Sequence, residues 1–428
     1  MSHLWHPFTP DSFNGPKATW VRAQGAYVWD DQGHRFLDAT SSWWCQIHGH
    51  CHPRLTQALM AQAKTLDHVM VAPHTHPGVE QLSDGLIRAL GAPYSKVFYS
   101  DDGSTAVEAA LKMALQYWHL KGQKPRQRFL SLHGGYHGDT LGAVSVGGID
   151  SYHEFFQRHC GPSLKLPTPY CYRCPEKQSY PGCDSECLSP LESILEKHGS
   201  EIAALIVEPL LMGAAGMIAY PKEYLEKLVL RCQQMGILVI FDEVFTGFGR
   251  TGKMFAMDWL SVKPDIVTLS KGLTSGVLPL GATVTHDGIY REFCGDATKA
   301  FYHGHTFSGN ALGCAVALES LKIFEDESVL ERNQKLIDCM MAQREIFKRM
   351  ERVGDVRQLG MVWAIELVQD KIEKLPLNIG WQVAQQMWDR GYWIRPLHNN
   401  LYIVPPYCVT VPELSGLFQA LAECLEAS

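Results

Sequence analysis

The chain has little of what would tie a protein to nucleic acid or to a bilayer. Its 38 lysines and arginines are outnumbered by 45 aspartates and glutamates, giving a formal net charge of −7, and no basic run occurs. That balance argues against nucleic acid or an anionic membrane surface as the main partner. No stretch approaches the roughly 18 uninterrupted apolar residues of a spanning helix. Met1-Ser2-His3-Leu4-Trp5-His6-Pro7 has no basic head followed by an apolar core, so no secretory signal is expected. Internal repeats and low-complexity tracts are missing too. Thirteen cysteines, an odd number scattered along the sequence, fit the reduced thiols of a cytoplasm better than a disulfide framework.

What is there is ordinary globular material: 428 residues, 46% hydrophobic and 19% charged, enough for one large core and a smaller satellite domain. The first fifty residues read as β-rich, with Ala26-Tyr27-Val28-Trp29, a turn at Asp30 to Gly33, then Arg35-Phe36-Leu37. From about residue 54 to 315, helical patterns alternate with short apolar runs such as Lys96 to Tyr99, Ala203 to Val207 and Ile237 to Phe241. That alternation predicts an α/β domain with a parallel sheet covered by helices. A long helical pattern over 311–352 leads to extended pieces at Gly360–Glu366, Tyr392–Arg395 and Leu401–Val404. A closing helix carries Leu414, Leu417, Phe418, Leu421 and Leu425 on one face. The expected division is 1–53 and 316–428 as a small α+β domain from both chain ends, around a large domain at 54–315.

Two apolar runs end in charge. Ile266-Val267-Thr268-Leu269 leads through Ser270 to Lys271, and Ile237 to Phe241 ends in Asp242-Glu243. Both read as buried parallel strands, which deliver these groups to the carboxyl edge where open α/β sheets bind ligands. An amine beside a carboxylate suits pyridoxal 5′-phosphate: the amine links covalently to its aldehyde, and the carboxylate keeps its ring nitrogen protonated. Gly103-Ser104, after the Val97-Phe98-Tyr99 strand and opening a helix, suits the phosphate, with Thr105 and Glu108 in a capping-box pattern. Taken alone, it is an ordinary strand-to-helix turn.

Other motifs weaken on inspection. Gly247 to Lys253 fits a P-loop except that Met254 stands where the magnesium-binding hydroxyl belongs. Gly247-Phe248-Gly249-Arg250-Thr251-Gly252 fits G-x-G-x-x-G, but no acid ends a strand some 20 residues on. A glycine-rich loop at a subunit contact is the simpler reading. Glu208 ends a third apolar strand. Tyr136 sits in a glycine-rich turn, where an aromatic either stacks on a planar ring or simply packs. Trp43-Trp44 suits a core or the wall of an apolar slot. Cys171-x-x-Cys174 with Cys183 and Cys187 is compatible with a tetrahedral zinc site, yet the second pair is spaced by three and the connecting loop is short. Free thiols are the expectation there, and no metal.

With Lys271, Asp242, Gly103-Ser104 and Thr306 within His303-Gly304-His305-Thr306-Phe307-Ser308-Gly309-Asn310 all in order, the chain resembles the class III aminotransferases of fold-type I over essentially its whole length. Leu4 to Thr9, Ser41 to Trp44, Lys112 to Trp118, Gly135 to Thr140 and Trp393 to Pro396 sharpen the resemblance toward members that aminate 8-amino-7-oxononanoate. The resemblance implies a mostly parallel seven-stranded sheet and a homodimer sharing its active sites. It makes Lys271 the catalytic, cofactor-linked amine and Asp242 the partner of the ring nitrogen. Gly103 and Ser104, with His305 and Thr306 from the other subunit, would hold the phosphate, and Tyr136 would stack near the ring. Phe8, Trp43, Tyr136, Asp139, Gly304 and Arg395 match substrate-contact positions. Phe8 stands where some members have a tyrosine; S-adenosylmethionine is the expected amino donor, with lysine the other candidate. Another class III enzyme acting on an ω-amino acid or diamine is the alternative.

Overall fold

The computed structural model describes residues 3–161, 163–368 and 379–427. Near the amino end, β1 (Trp20–Gln24), β2 (Tyr27–Asp30) and β3 (Arg35–Asp38) form an antiparallel meander. The central sheet then takes β4 (Tyr94–Ser100), β5 (Arg128–Leu132), β6 (Ser163–Leu166) and β7 (Ile202–Val207). After a short hairpin of β8 (Leu211–Met212) and β9 (Ile218–Ala219), it is completed by β10 (Leu238–Asp242), β11 (Ile266–Leu269) and β12 (Gly281–His286). The order is β4-β12-β11-β10-β7-β5-β6, and β12 alone runs antiparallel to its neighbours. This is the mostly parallel seven-stranded sheet that was expected. Every residue of β7, β10 and β11 is buried, which is why these strands read as unbroken apolar runs rather than alternating ones.

The chain ends meet. β13 (Val353–Leu359), β14 (Val362–Leu367) and β16 (Asn400–Ile403) form one antiparallel sheet, while β15 (Tyr392–Trp393) crosses over to pair with β3. The closing helix Val411–Ala427 buries Leu414, Leu417, Phe418, Leu421 and Leu425. Residue 315 lies within the helix Ala311–Asp326. Among the described residues no helix is long and apolar enough to cross a membrane.

Two local expectations change. The single helical pattern over 311–352 becomes two helices, Ala311–Asp326 and Val329–Phe347, separated at Ser328, whose φ is 45°. Glu325, Asp326 and Glu327 crowd one helix end with negative charge, where the peptide dipole opposes it. The helix Gly103–Leu120 is capped one turn earlier than the Thr105–Glu108 pattern suggested. Asp102 accepts from Thr105 N at 2.8 Å, and Thr105 Oγ1 accepts from Asp102 N at 2.9 Å. Glu108 instead accepts from Gly142 N at 2.7 Å and ties this helix to the glycine-rich turn. The Gly247 to Lys253 loop packs inward through the buried Arg250. That side chain donates to Pro405 O at 2.8 Å and Ser41 Oγ at 3.0 Å, joining both chain ends to the large sheet.

Candidate active site

Strand ends deliver the chemistry. Just past β11, Lys271 opens a one-turn 3₁₀ helix with a left-handed φ of 45°. Its Nζ lies 5.0 Å from the Trp44 ring centre and 5.9 Å from that of Phe245. Lys271 is half-buried and borders an open cavity. Burial pulls it below the ordinary lysine range, against the opposing pull of Asp242 and Glu208.

Asp242 is the last residue of β10 and is 4% exposed. His137 Nδ1 stands 2.7 Å from its Oδ2, while Oδ1 accepts from Val244 N at 3.1 Å and from Thr268 Oγ1 at 3.3 Å. The acid is therefore fixed from three elements at once. Glu208, directly after β7, accepts from Tyr136 N at 3.0 Å and from Gly213 N at 2.8 Å. Burial first, then the neighbouring Asp242, pushes its carboxyl up to about 8.

Gly103 and Ser104 begin the helix after β4, at positions whose amides an α-helix leaves without internal partners. A Cβ on Gly103 would lie 2.6 Å from Val244, so only glycine leaves this approach open. Ser104 Oγ accepts from Thr140 N at 3.1 Å, bringing the helix end against the turn that carries Tyr136 and Asp139. Tyr136 O–H donates to Asp139 at 2.6 Å, and its ring stacks on His153 at 5.7 Å. Burial and then this bond raise the tyrosine. Asp139, which burial would raise, is held below its ordinary range by its bonds to His153 and Tyr136.

All of these groups line one cavity of about 650 Å³, together with Trp44, Cys45, Phe245 and Thr274. The pyridoxal phosphate expected from the sequence fits what is present. An amine of lowered basicity, an oriented carboxylate and a helix N-terminus all border the same space. At the mouth, Phe8 packs edge-on against Trp43 at 5.7 Å and Tyr152 at 5.4 Å, and the Arg395 guanidinium lies 5.0 Å above the Trp43 ring. Phe8 and Arg395 line a second groove, of about 630 Å³, rather than the Lys271 cavity, and Trp43 lines neither, although its neighbour Trp44 lines the first. The tandem tryptophans therefore separate, Trp44 buried beside Lys271 and Trp43 exposed at the mouth.

Gly304, His305 and Thr306 are not among the residues lining this cavity. They lie on a loop before Ala311, with Gly304 and Thr306 exposed and His305 Nδ1 3.6 Å from Asp101. Sequence reasoning did not assign His137 and Phe245. His137 neighbours Tyr136 but faces the opposite way, toward the end of β10, and only a paired reading of Tyr136-His137 with Asp242 would have signalled it.

Residues 12–425 match the model of the family described as aminotransferase class-III. The chain is 42% identical to the adenosylmethionine-8-amino-7-oxononanoate aminotransferase of Geobacter sulfurreducens, over 99% of this chain and 95% of that protein. It is 40% identical to the enzyme of that name from Methanocaldococcus jannaschii, over 99% and 96%. The crystal structure of the M. jannaschii protein superposes with a TM-score of 0.93, covering 100% of this chain and 97% of that one at 39% identity. An amine transaminase from an uncultivated Pseudomonas species, solved with pyridoxal phosphate bound, superposes with a TM-score of 0.94 at 34% identity, covering 100% and 99%. Strand order, cavity and relatives agree: this chain belongs to the class III aminotransferases, which are enzymes dependent on pyridoxal 5′-phosphate.

Proposed function

We propose that this enzyme transfers an amine to 8-amino-7-oxononanoate, giving 7,8-diaminononanoate in biotin synthesis, with S-adenosylmethionine as donor and in the cytoplasm. The observation that carries the reading is Arg395, a cation over the ring of Trp43, which precedes the cavity-lining Trp44 in the chain. A long aliphatic oxo acid needs an apolar path with a carboxylate partner at its far end, and a guanidinium offers that partner a bidentate fork. Relatives that bear this enzyme's name over nearly the whole chain support the same substrate.

When bound, pyridoxal phosphate supplies an aldehyde that links to amines and a ring that draws electrons from the adjoining carbon. The protein does the rest. Lys271 would anchor it and would serve as the proton carrier of the exchange, a task that a lowered pKa suits. Asp242, oriented by His137, meets the ring nitrogen. Gly103 and Ser104 take the phosphate together with the partner subunit's His305 and Thr306, whose loop lies outside this chain's own cavity. A homodimer follows from that sharing, around large and small domains divided near residues 53 and 315. Tyr136 and Trp44 would confine the ring, Asp139 would face the incoming amino group, and Phe8 and Trp43 would shape the entry with the partner subunit's Gly304.

Phe8 offers no hydroxyl, which favours lysine as a second reading for the donor. Single-turnover absorbance of the holoenzyme with a panel of donors tests both. Conversion by S-adenosylmethionine or lysine, followed by ping-pong kinetics with 8-amino-7-oxononanoate, is expected. Conversion by β-alanine or γ-aminobutyrate alone would overturn the substrate and point to an ω-amino acid enzyme.

A further inference from the structure

Between β6 and β7 the chain leaves the sheet for an excursion over residues 167–189, whose only helices are two single 3₁₀ turns, Cys171–Arg173 and Glu186–Leu188. From 171 to 187 every residue is exposed except Cys171, Cys174, Cys183, Ser185 and Cys187. The excursion therefore turns its four sulfurs inward and almost everything else outward. All four line one small void of about 20 Å³, floored by Tyr170, Pro221 and Tyr224. None of them is in a disulfide. A segment this short buries too little apolar surface to hold a shape by packing alone, and such segments are commonly held by a staple at their centre.

We propose that Cys171, Cys174, Cys183 and Cys187 bind one structural zinc ion, closing the excursion around a four-thiolate centre. The void is of single-ion size, the donors are all soft sulfur, and a closed Cys₄ shell is the form of structural rather than catalytic zinc. Among the described residues no three such groups are close enough to hold a metal as they stand, so binding requires the four thiols to draw together across the void and lose their protons. The second pair, spaced by three residues, sits on the 3₁₀ turn Glu186–Leu188 at Cys187 and on the coil before it at Cys183, where such adjustment needs no helix to break.

The staple also has a place to act. On the flank of the excursion, Tyr170 and Arg173 both hydrogen-bond Glu366 of β14, and Arg357 of β13 reaches Gly216 O at 2.9 Å between β8 and β9. That same hairpin offers Gly213 N to Glu208 on the cavity wall. Zinc thus fastens a strap that braces the small domain against the hairpin behind the site, without touching the reacting groups.

The test uses the reduced holoenzyme, purified without chelator or metal-affinity resin. Elemental analysis is expected to find about one zinc per chain, released by titration of about four thiols with a mercurial. Exchange with cobalt(II) should give the visible d–d bands of a tetrahedral thiolate site. In Cys171→Ser/Cys174→Ser, zinc should fall below about one-tenth per chain, with a lower thermal midpoint and the cofactor's absorbance retained. Wild-type protein without zinc, and without cobalt bands after reconstitution, overturns the proposal even if the double variant fails to fold. An iron–sulfur absorbance in place of zinc overturns it as well.

Discussion

The floor of the cavity and its mouth are built on different terms. On the floor, Asp242, Glu208 and His137 stand at or just beyond strand ends, nearly closed to solvent, and each is held by two or more hydrogen bonds or by a partner so held. At the mouth, Phe8, Trp43 and Arg395 come from three separate pieces of chain, the two rings exposed and the guanidinium half-buried, and meet through ring contacts. Directional bonds in a buried setting fix a group to a fraction of an ångström, whereas aromatic contacts leave room to slide. The floor is thus suited to chemistry that every member of the family performs, and the mouth to discrimination among substrates.

The largest expected break is Lys271→Ala, which removes both the anchor and the proton carrier. Turnover should fall by at least about 10⁴-fold, read from single-turnover absorbance, with no lysine trapped by borohydride. Asp242→Asn keeps the shape but loses the charge, and kcat should fall by about 10²- to 10³-fold while the KM for the oxo acid changes little. At the mouth the split reverses. Arg395→Ala should raise that KM by about 10- to 100-fold with kcat nearly kept, since it removes one charged hydrogen-bonding partner. A large loss of kcat there would erase the distinction between floor and mouth.

Glu208 sharpens it through pH. Its carboxyl ionises near 4.5 in an open chain but at about 8 in the fold, so the folded protein holds the proton longer. Stability from this group is full below the lower value and declines as pH rises toward the higher one. Glu208→Gln should flatten that decline in thermal unfolding measured from about pH 5 to about pH 8, while lowering the midpoint overall because an amide nitrogen cannot accept from Gly213 N. The smallest effect is expected of Phe8→Tyr, a few-fold shift in the ratio of kcat/KM for S-adenosylmethionine over lysine, read from paired donor assays. No shift would remove Phe8 from donor choice.

The same contrast decides how much could be read from sequence. The central sheet and the floor were legible because β7, β10 and β11 are apolar throughout and stop at a charged residue, so strand and functional group announce each other. The lone antiparallel strand β12 carries no such mark, since the residue types of Gly281-Ala282-Thr283-Val284-Thr285 do not record which way a strand runs. His137 escaped because its role depends on which way one side chain turns in a glycine-rich loop. The helix break at Ser328 and the earlier cap at Asp102 turned on local charge and backbone that periodicity does not register. The separation of Trp43 from Trp44 rests on left-handed backbone at Ser42 and Trp44, with φ of 61° and 67°.

The backbone at Lys271 has an evolutionary corollary. Its left-handed turn sends the side chain back over the sheet edge, and a Cβ on Gly272 would already crowd Phe248 at 3.0 Å. An amine shifted one step along the chain would therefore point elsewhere and jostle its neighbours. This anchor cannot drift forward to position 272, so diversification within this fold is left to the rim.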